Sequence, residues 1–120
     1  MSTSKNTLHK KNVLVTGRTG MIGRYLVDEL LKKHCNVTVV SLDEPVGVPK
    51  GVKFKKLDLT SFENCMEAVR EQDYVFNLIG IKGSPKMSRE NPAKFMVPML
   101  MFNTNMMEAA MRAKVKWYLY

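Results

Sequence analysis

The chain has 120 residues, of which 45% are hydrophobic and 25% charged, and a formal net charge of +8. This length fits one domain with its own core, and no apolar run is long enough for a transmembrane helix. The surplus lysines are scattered and no aromatic rings interleave with them, which argues for solvated faces and against a nucleic-acid platform.

Residues 1–11, MSTSKNTLHKK, read as a flexible basic tail without the apolar segment of a secretory signal. NVLVT at 12–16 is short and rich in β-branched residues, which predicts a buried strand. From 21 to 33, Ile22, Leu26 and Leu30 recur at helical spacing, flanked by Met21, Tyr25 and Leu31. NVTVVSL at 36–42 predicts a second strand. DEPVGVPKG at 43–51 reads as a loop, and VKFKKL at 52–57 as a third, partly exposed strand. Thr60 and Glu63 have the T-x-x-E spacing of a capping box. It opens a helix to about Arg70, with Phe62, Cys65, Met66 and Val69 as its buried stripe. DYVFNLIG at 73–80 predicts a fourth strand and IKGSPKMSRENP at 81–92 a long loop. MLMFNTNMMEAAMRAK predicts a helix, and VKWYLY at 115–120 a fifth strand.

Strands alternating with crossovers argue for an α/β fold: a Rossmann-like parallel sheet of about five strands with flanking helices, spanning 12–120 and cut after the fifth strand. The interval between Leu42 and Val52 is too short for a helical crossover, so a loop serves there. Cys35 and Cys65 form no C-x-x-C pair and read as buried, reduced thiols of a cytoplasmic protein.

Chemistry concentrates in the glycine loop. Thr16-Gly17-Arg18-Thr19-Gly20-Met21-Ile22-Gly23 spells T-G-x-x-G-x-x-G between a strand and a helix. In a dinucleotide fingerprint, Gly17 makes the sharp turn and Gly20 lets the backbone approach a pyrophosphate. Gly23 lets the helix pack closely on the sheet. The first N–H groups of that helix, at Met21 and Ile22, then face the anion. A Walker A loop is excluded, because Arg24 follows Gly23 where that motif needs Lys.

Asp43 lies twenty residues beyond Gly23, at the end of the second strand. That is where a carboxylate accepts from ribose hydroxyls. It repels a 2′-phosphate and favours NAD; Arg18 can clamp a phosphate and leaves NADP open.

In chain order, VTGRTGMIG, SLDE, LDLT, VFNLIG, NPAKFMVPMLMFNTNMMEAA and VKWYLY resemble the extended short-chain dehydrogenase/reductase family, in its NAD-dependent sugar epimerase/dehydratase group. NLIGIKG and the stretch leading into LMFNTN are similar to the GDP-fucose synthase and UDP-glucose epimerase branches. The resemblance covers 12–120 and implies roles for matching residues. Asp58 and Leu59 would border the adenine, with Asp58 accepting from its amine. Ile79, Gly80 and Ile81 would pass under the adenosine ribose and toward the nicotinamide. Lys82 would reach toward cofactor and substrate, and Asn103 would line the cofactor pocket. A nucleotide-sugar substrate would complete the enzyme. Read from its residues alone, Asp58 serves equally as a turn residue before Thr60, and Asn103 as an amide bonded to nearby backbone.

The family also carries a Ser or Thr after the fifth strand, then Tyr-x-x-x-Lys, for proton transfer. No such set occurs here: Glu29 follows Tyr25 and Leu78 follows Tyr74 at that spacing. His9 and His34 have no metal-ligand spacing. The function expected is therefore the NAD(P)-binding part of a nucleotide-sugar epimerase, dehydratase or reductase. The alternative is a non-catalytic dinucleotide-binding or protein-interaction module. On the methionine-rich helix, Met99, Phe102, Met106 and Ala110 mark one face, widened by Met101, Met107 and Met111. This predicts core packing; a homodimer through that helix is the other reading the family implies.

Overall fold

A computed structural model describes residues 8–17, 21–79 and 85–120. Among these residues nine elements follow in chain order: β1 (Asn12–Thr16), α1 (Met21–Lys32), β2 (Asn36–Ser41), β3 (Lys53–Lys56), α2 (Phe62–Val69), β4 (Tyr74–Asn77), α3 (Pro85–Glu90), α4 (Pro92–Arg112) and β5 (Trp117–Leu119). The five strands form one sheet in the order β3-β2-β1-β4-β5, and every pairing is parallel.

The continuous apolar runs of β1 and β2 follow from burial on both faces of the sheet. Side chains alternate between faces along each strand. Val13, Val15, Val37 and Val39 pack toward α1, against Val27 and Leu30. Leu14, Val40 and Val75 point the other way, into a core with Cys65, Val69, Phe102 and Met106 from α2 and α4. β3 is an edge strand and only half buried, as its lysines require. β2 reaches β3 without a helix, through a loop in which Gly47 and Gly51 adopt φ of 72° and 88°.

Four local expectations are corrected. The buried face of α1 is Gly23, Val27 and Leu30, whereas Met21, Ile22 and Tyr25 are exposed. The helical period pairs Ile22 with Leu26, but the sheet contact is centred one residue further on. Ser61, not Thr60, caps α2: its side chain accepts from the Asn64 N–H at 3.4 Å, beside an extended φ of −88°. Thr60 instead donates both its N–H and its hydroxyl to Asp58 Oδ1, at 3.0 and 2.7 Å. The span 81–92 is not all loop, since α3 lies within it. Finally, α4 begins at Pro92, well before the predicted start, and continues through Pro98. Pro at the first helical position needs no N–H partner, which suits that start.

The methionine-rich helix divides. Phe102, Met106, Ala109 and Ala110 are buried. Met101, Met107 and Met111 do not widen the core face; they lie exposed beside Met96, Val97 and Leu100. Both cysteines are buried and free.

Candidate functional site

The strand order reverses direction between β1 and β4. β1 leads outward through β2 to β3 on one side, and β4 leads to β5 on the other. Ligands of open parallel sheets bind beyond the carboxyl ends of the strands at such a switch point. In register, Thr16 stands between Val40 of β2 and Asn77 of β4. The residues just past these ends are Gly17, Asp43 and the pair Leu78 and Ile79.

Gly17 has φ of +73°. A Cβ there would stand 2.6 Å from the carbonyl carbon and oxygen of Leu78 and 2.7 Å from the Cα of Ile79. Both its conformation and its space demand glycine. The contact comes from parallel pairing carried one step past the strands: the Leu78 N–H donates to the Thr16 carbonyl at 3.1 Å. Gly17 thus lies close over the end of β4, and α1 opens at Met21. Met21 and Ile22 are exposed in its first turn, and Gly23 is buried.

Asp43 lies exposed two residues beyond β2, and its N–H donates to Ser41 Oγ at 3.1 Å. Asp58 follows β3. Thr60 holds one of its oxygens and lowers its pKa from the ordinary 3.8. Its Oδ2 has no partner among the described residues. The Asp58 carbonyl accepts from Asn64 Nδ2 at 2.9 Å, and Asn105 of α4 donates to the Thr60 carbonyl at 3.1 Å, so α2 and α4 both brace this turn. Leu59 is 1% exposed, a core side chain, and Ile79 is half buried against the same cluster. Arg18, Thr19, Gly20, Gly80, Ile81 and Lys82 lie outside the described residues.

Sequence reading missed the polar network below this edge. The Thr16 hydroxyl donates to Asn77 Oδ1 at 2.6 Å. Asn77 Nδ2 donates to Asn103 Oδ1 at 2.9 Å and to the Tyr118 hydroxyl oxygen at 2.8 Å. Thr16 and Asn77 are both buried, so each needs a partner. Four elements therefore meet at one amide: β1, β4, α4 and β5. The signal was available, since Asn77 is the polar residue in an otherwise apolar strand. Its partners were not, because they come from three distant segments. Burial raises the Tyr118 pKa above 10.0, partly offset by the Asn77 bond.

A family model described as the NAD dependent epimerase/dehydratase family matches residues 13–120. The chain belongs to this family. Among curated relatives of this epimerase/dehydratase chain, the 40 kDa subunit of mitochondrial NADH-ubiquinone oxidoreductase from Neurospora crassa is 32% identical over 83 residues, covering 63% of this chain and 22% of its own. A UDP-N-acetyl-alpha-D-glucosaminuronate decarboxylase from Bacillus cytotoxicus is 30% identical over 116 residues, covering 89% of this chain and 35% of its own. Among solved structures, the UDP-glucose 4-epimerase of Thermus thermophilus in complex with NAD aligns with a TM-score of 0.76 at 33% identity, over 87% of this chain and 35% of that one. The chain thus spans about a third or less of the length of these relatives.

Among the described residues, no group of three His, Cys, Asp or Glu side chains could hold a metal ion. No described helix is long and apolar enough to cross a membrane.

Proposed function

We propose that this chain is the NAD-binding part of a nucleotide-sugar epimerase, dehydratase or reductase. The observation that carries this reading is Gly17. It turns at positive φ against the Leu78–Ile79 backbone, between β1 and the open first turn of α1, at the switch point of a parallel sheet. The residues present suit a dinucleotide. The glycine-rich turn and the first N–H groups of α1 would take the pyrophosphate. Asp43 would accept from the ribose hydroxyls and select NAD over NADP. Asp58, whose Oδ2 is uncommitted among the described residues, would accept from the adenine amine, bordered by the Leu59 backbone. Ile79, Gly80 and Ile81 would pass under the adenosine ribose toward the nicotinamide, Lys82 would reach toward cofactor and substrate, and Asn103 would line the cofactor pocket. When bound, NAD supplies the hydride acceptor; these residues bind and orient.

The test is thermal stability. NAD should raise the melting temperature, because a ligand that binds only the folded state stabilises it by mass action. Gly20→Val should abolish the shift. Absence of any shift with millimolar NAD or NADP would overturn the reading.

A second reading is an interaction module that keeps the fold without the chemistry. Two observations favour it: a 32% identical relative is a subunit of NADH-ubiquinone oxidoreductase, and α4 exposes Met96, Val97, Leu100, Met101, Met107 and Met111. A homodimer through α4 is the association this face would support. Sedimentation of the wild type and of Met101→Glu decides on the dimer. A Tyr-x-x-x-Lys in the reading frame after Tyr120 decides for the enzyme.

A further inference from the structure

Which donors and acceptors remain around Asn77 follows from bond lengths. The Thr16–Asn77 contact, at 2.6 Å, has the length of an O–H···O bond, whereas 2.9 and 2.8 Å suit N–H···O. The amide is therefore oriented with its oxygen toward Thr16 and its nitrogen toward α4 and β5. Both amide hydrogens are then spent, one on Asn103 and one on Tyr118.

This leaves two donors. Asn103 has its carbonyl oxygen tied to Asn77, so its NH₂ group must turn away. Tyr118 accepts through a lone pair, so its own hydrogen points elsewhere. Neither group has an acceptor among the described residues, and both side chains are only half buried. They hang from the same nitrogen, within reach of one small polar group. They stand on the β4–β5 side of the switch point, across it from Asp43. A dinucleotide lying over the switch point puts its two halves on opposite sides. With the adenosine half at Asp43, the other half falls on the side of Asn103 and Tyr118.

We propose that Asn77 is a positioning residue, which orients Asn103 and Tyr118 as a pair of donors toward an oxygen acceptor on the nicotinamide riboside half of the dinucleotide. The role rests on the cofactor reading above. Asn77 does not touch the ligand; it decides which end of Asn103 does.

The experiment is titration of NAD and of ADP, which lacks that half, against the wild type, Asn77→Asp and Tyr118→Phe. Asn77→Asp keeps the shape and the acceptor for Thr16 but replaces the donor nitrogen with a second acceptor. Asn103 must then turn its NH₂ inward and present its oxygen to the ligand. NAD should bind about tenfold more weakly to Asn77→Asp and about threefold more weakly to Tyr118→Phe, with ADP changed by less than about twofold. Equal losses for NAD and ADP, or no loss in either, would overturn the positioning role while leaving the cofactor reading intact. A wild type that binds neither ligand overturns both. Should Asn77→Asp fail to fold, Tyr118→Phe and the wild-type NMR spectrum carry the test. A coupling across the bond from Asn77 Nδ2 to Asn103 Oδ1 is expected, and NAD but not ADP should move the Asn103 NH₂ resonances. An absent coupling, or resonances indifferent to NAD, would overturn the role.

Discussion

The backbone of Leu78 occupies the place where a side chain on residue 17 would have to go: a Cβ on Gly17 would meet its carbonyl carbon at 2.6 Å. Neither φ of +73° nor this contact tolerates alanine. Gly17→Ala should therefore lose about 2–4 kcal/mol of stability, from left-handed backbone strain plus displacement of rigid backbone. Urea denaturation measures it. Gly47→Ala is the control: it has φ of +72° but nothing within 4 Å, so it should cost only the backbone strain, about 1 kcal/mol.

Cys65 is fully buried, and its Sγ donates to the Leu59 carbonyl at 3.1 Å. Burial, reinforced by the Asp58 charge, pushes its thiol from 9.0 up to about 11. The unfolded thiol ionises near 9.0 while the folded one keeps its proton, so between these values the folded state binds more protons and stability falls as pH rises. The urea midpoint should drop between pH 9 and 11, and the drop should be shallower in Cys65→Ala. At neutral pH a thiol reagent should modify Cys65 only as fast as the chain opens.

The two faces of α4 predict opposite mutational costs. Met106→Ala removes a fully buried side chain and should destabilise by about 2–5 kcal/mol. Met107→Ala, one residue along but 47% exposed, should cost under about 0.5 kcal/mol. Denaturant midpoints compare the two directly. Similar losses for both would mean that the outer face is covered.

Two adjacent hydroxyls before α2 do different work. Ser61→Ala removes the cap of the helix and should cost about 1 kcal/mol. Thr60→Val keeps the cap and the backbone N–H bond but removes the hydroxyl bond to the Asp58 carboxylate, whose pKa should climb part of the way back toward 3.8. Carboxyl NMR titration of both variants would read this, with the climb expected in Thr60→Val alone.

If Asp43 holds the ribose as proposed, Asp43→Asn should weaken NAD binding about tenfold and narrow the preference for NAD over NADP, because the proposed site would lose its charged acceptor and its repulsion of a 2′-phosphate together. Calorimetric titration with both dinucleotides checks it. An unchanged ratio would remove Asp43 from the ribose site.

Much of the fold was legible because its signals are local. The β-branched runs around Val13–Val15 and Val37–Val40 mark strands buried on both sides. The glycine spacing beginning at Gly17 marks a strand-to-helix turn. Two prolines and two glycines mark the loop that replaces a crossover helix between β2 and β3. The misreadings share a physical cause. Thr60 and Ser61 both fit a cap by type, and only the backbone path selects between them. Ile22 and Val27 both fit a helical stripe, and only the sheet beneath α1 chooses which is buried. Met106 and Met107 are chemically identical, and their difference lies in which side of α4 faces the sheet.

By itself, then, the sequence determined the alternation of elements and the glycine turn out of β1, since each depends on neighbours along the chain. The tertiary structure alone decided that Leu78 closes over Gly17 and that Asn77 joins Thr16, Asn103 and Tyr118. Those contacts arise from strand register and helix docking between distant segments, and a buried amide reveals its partners only once the elements that carry them are packed.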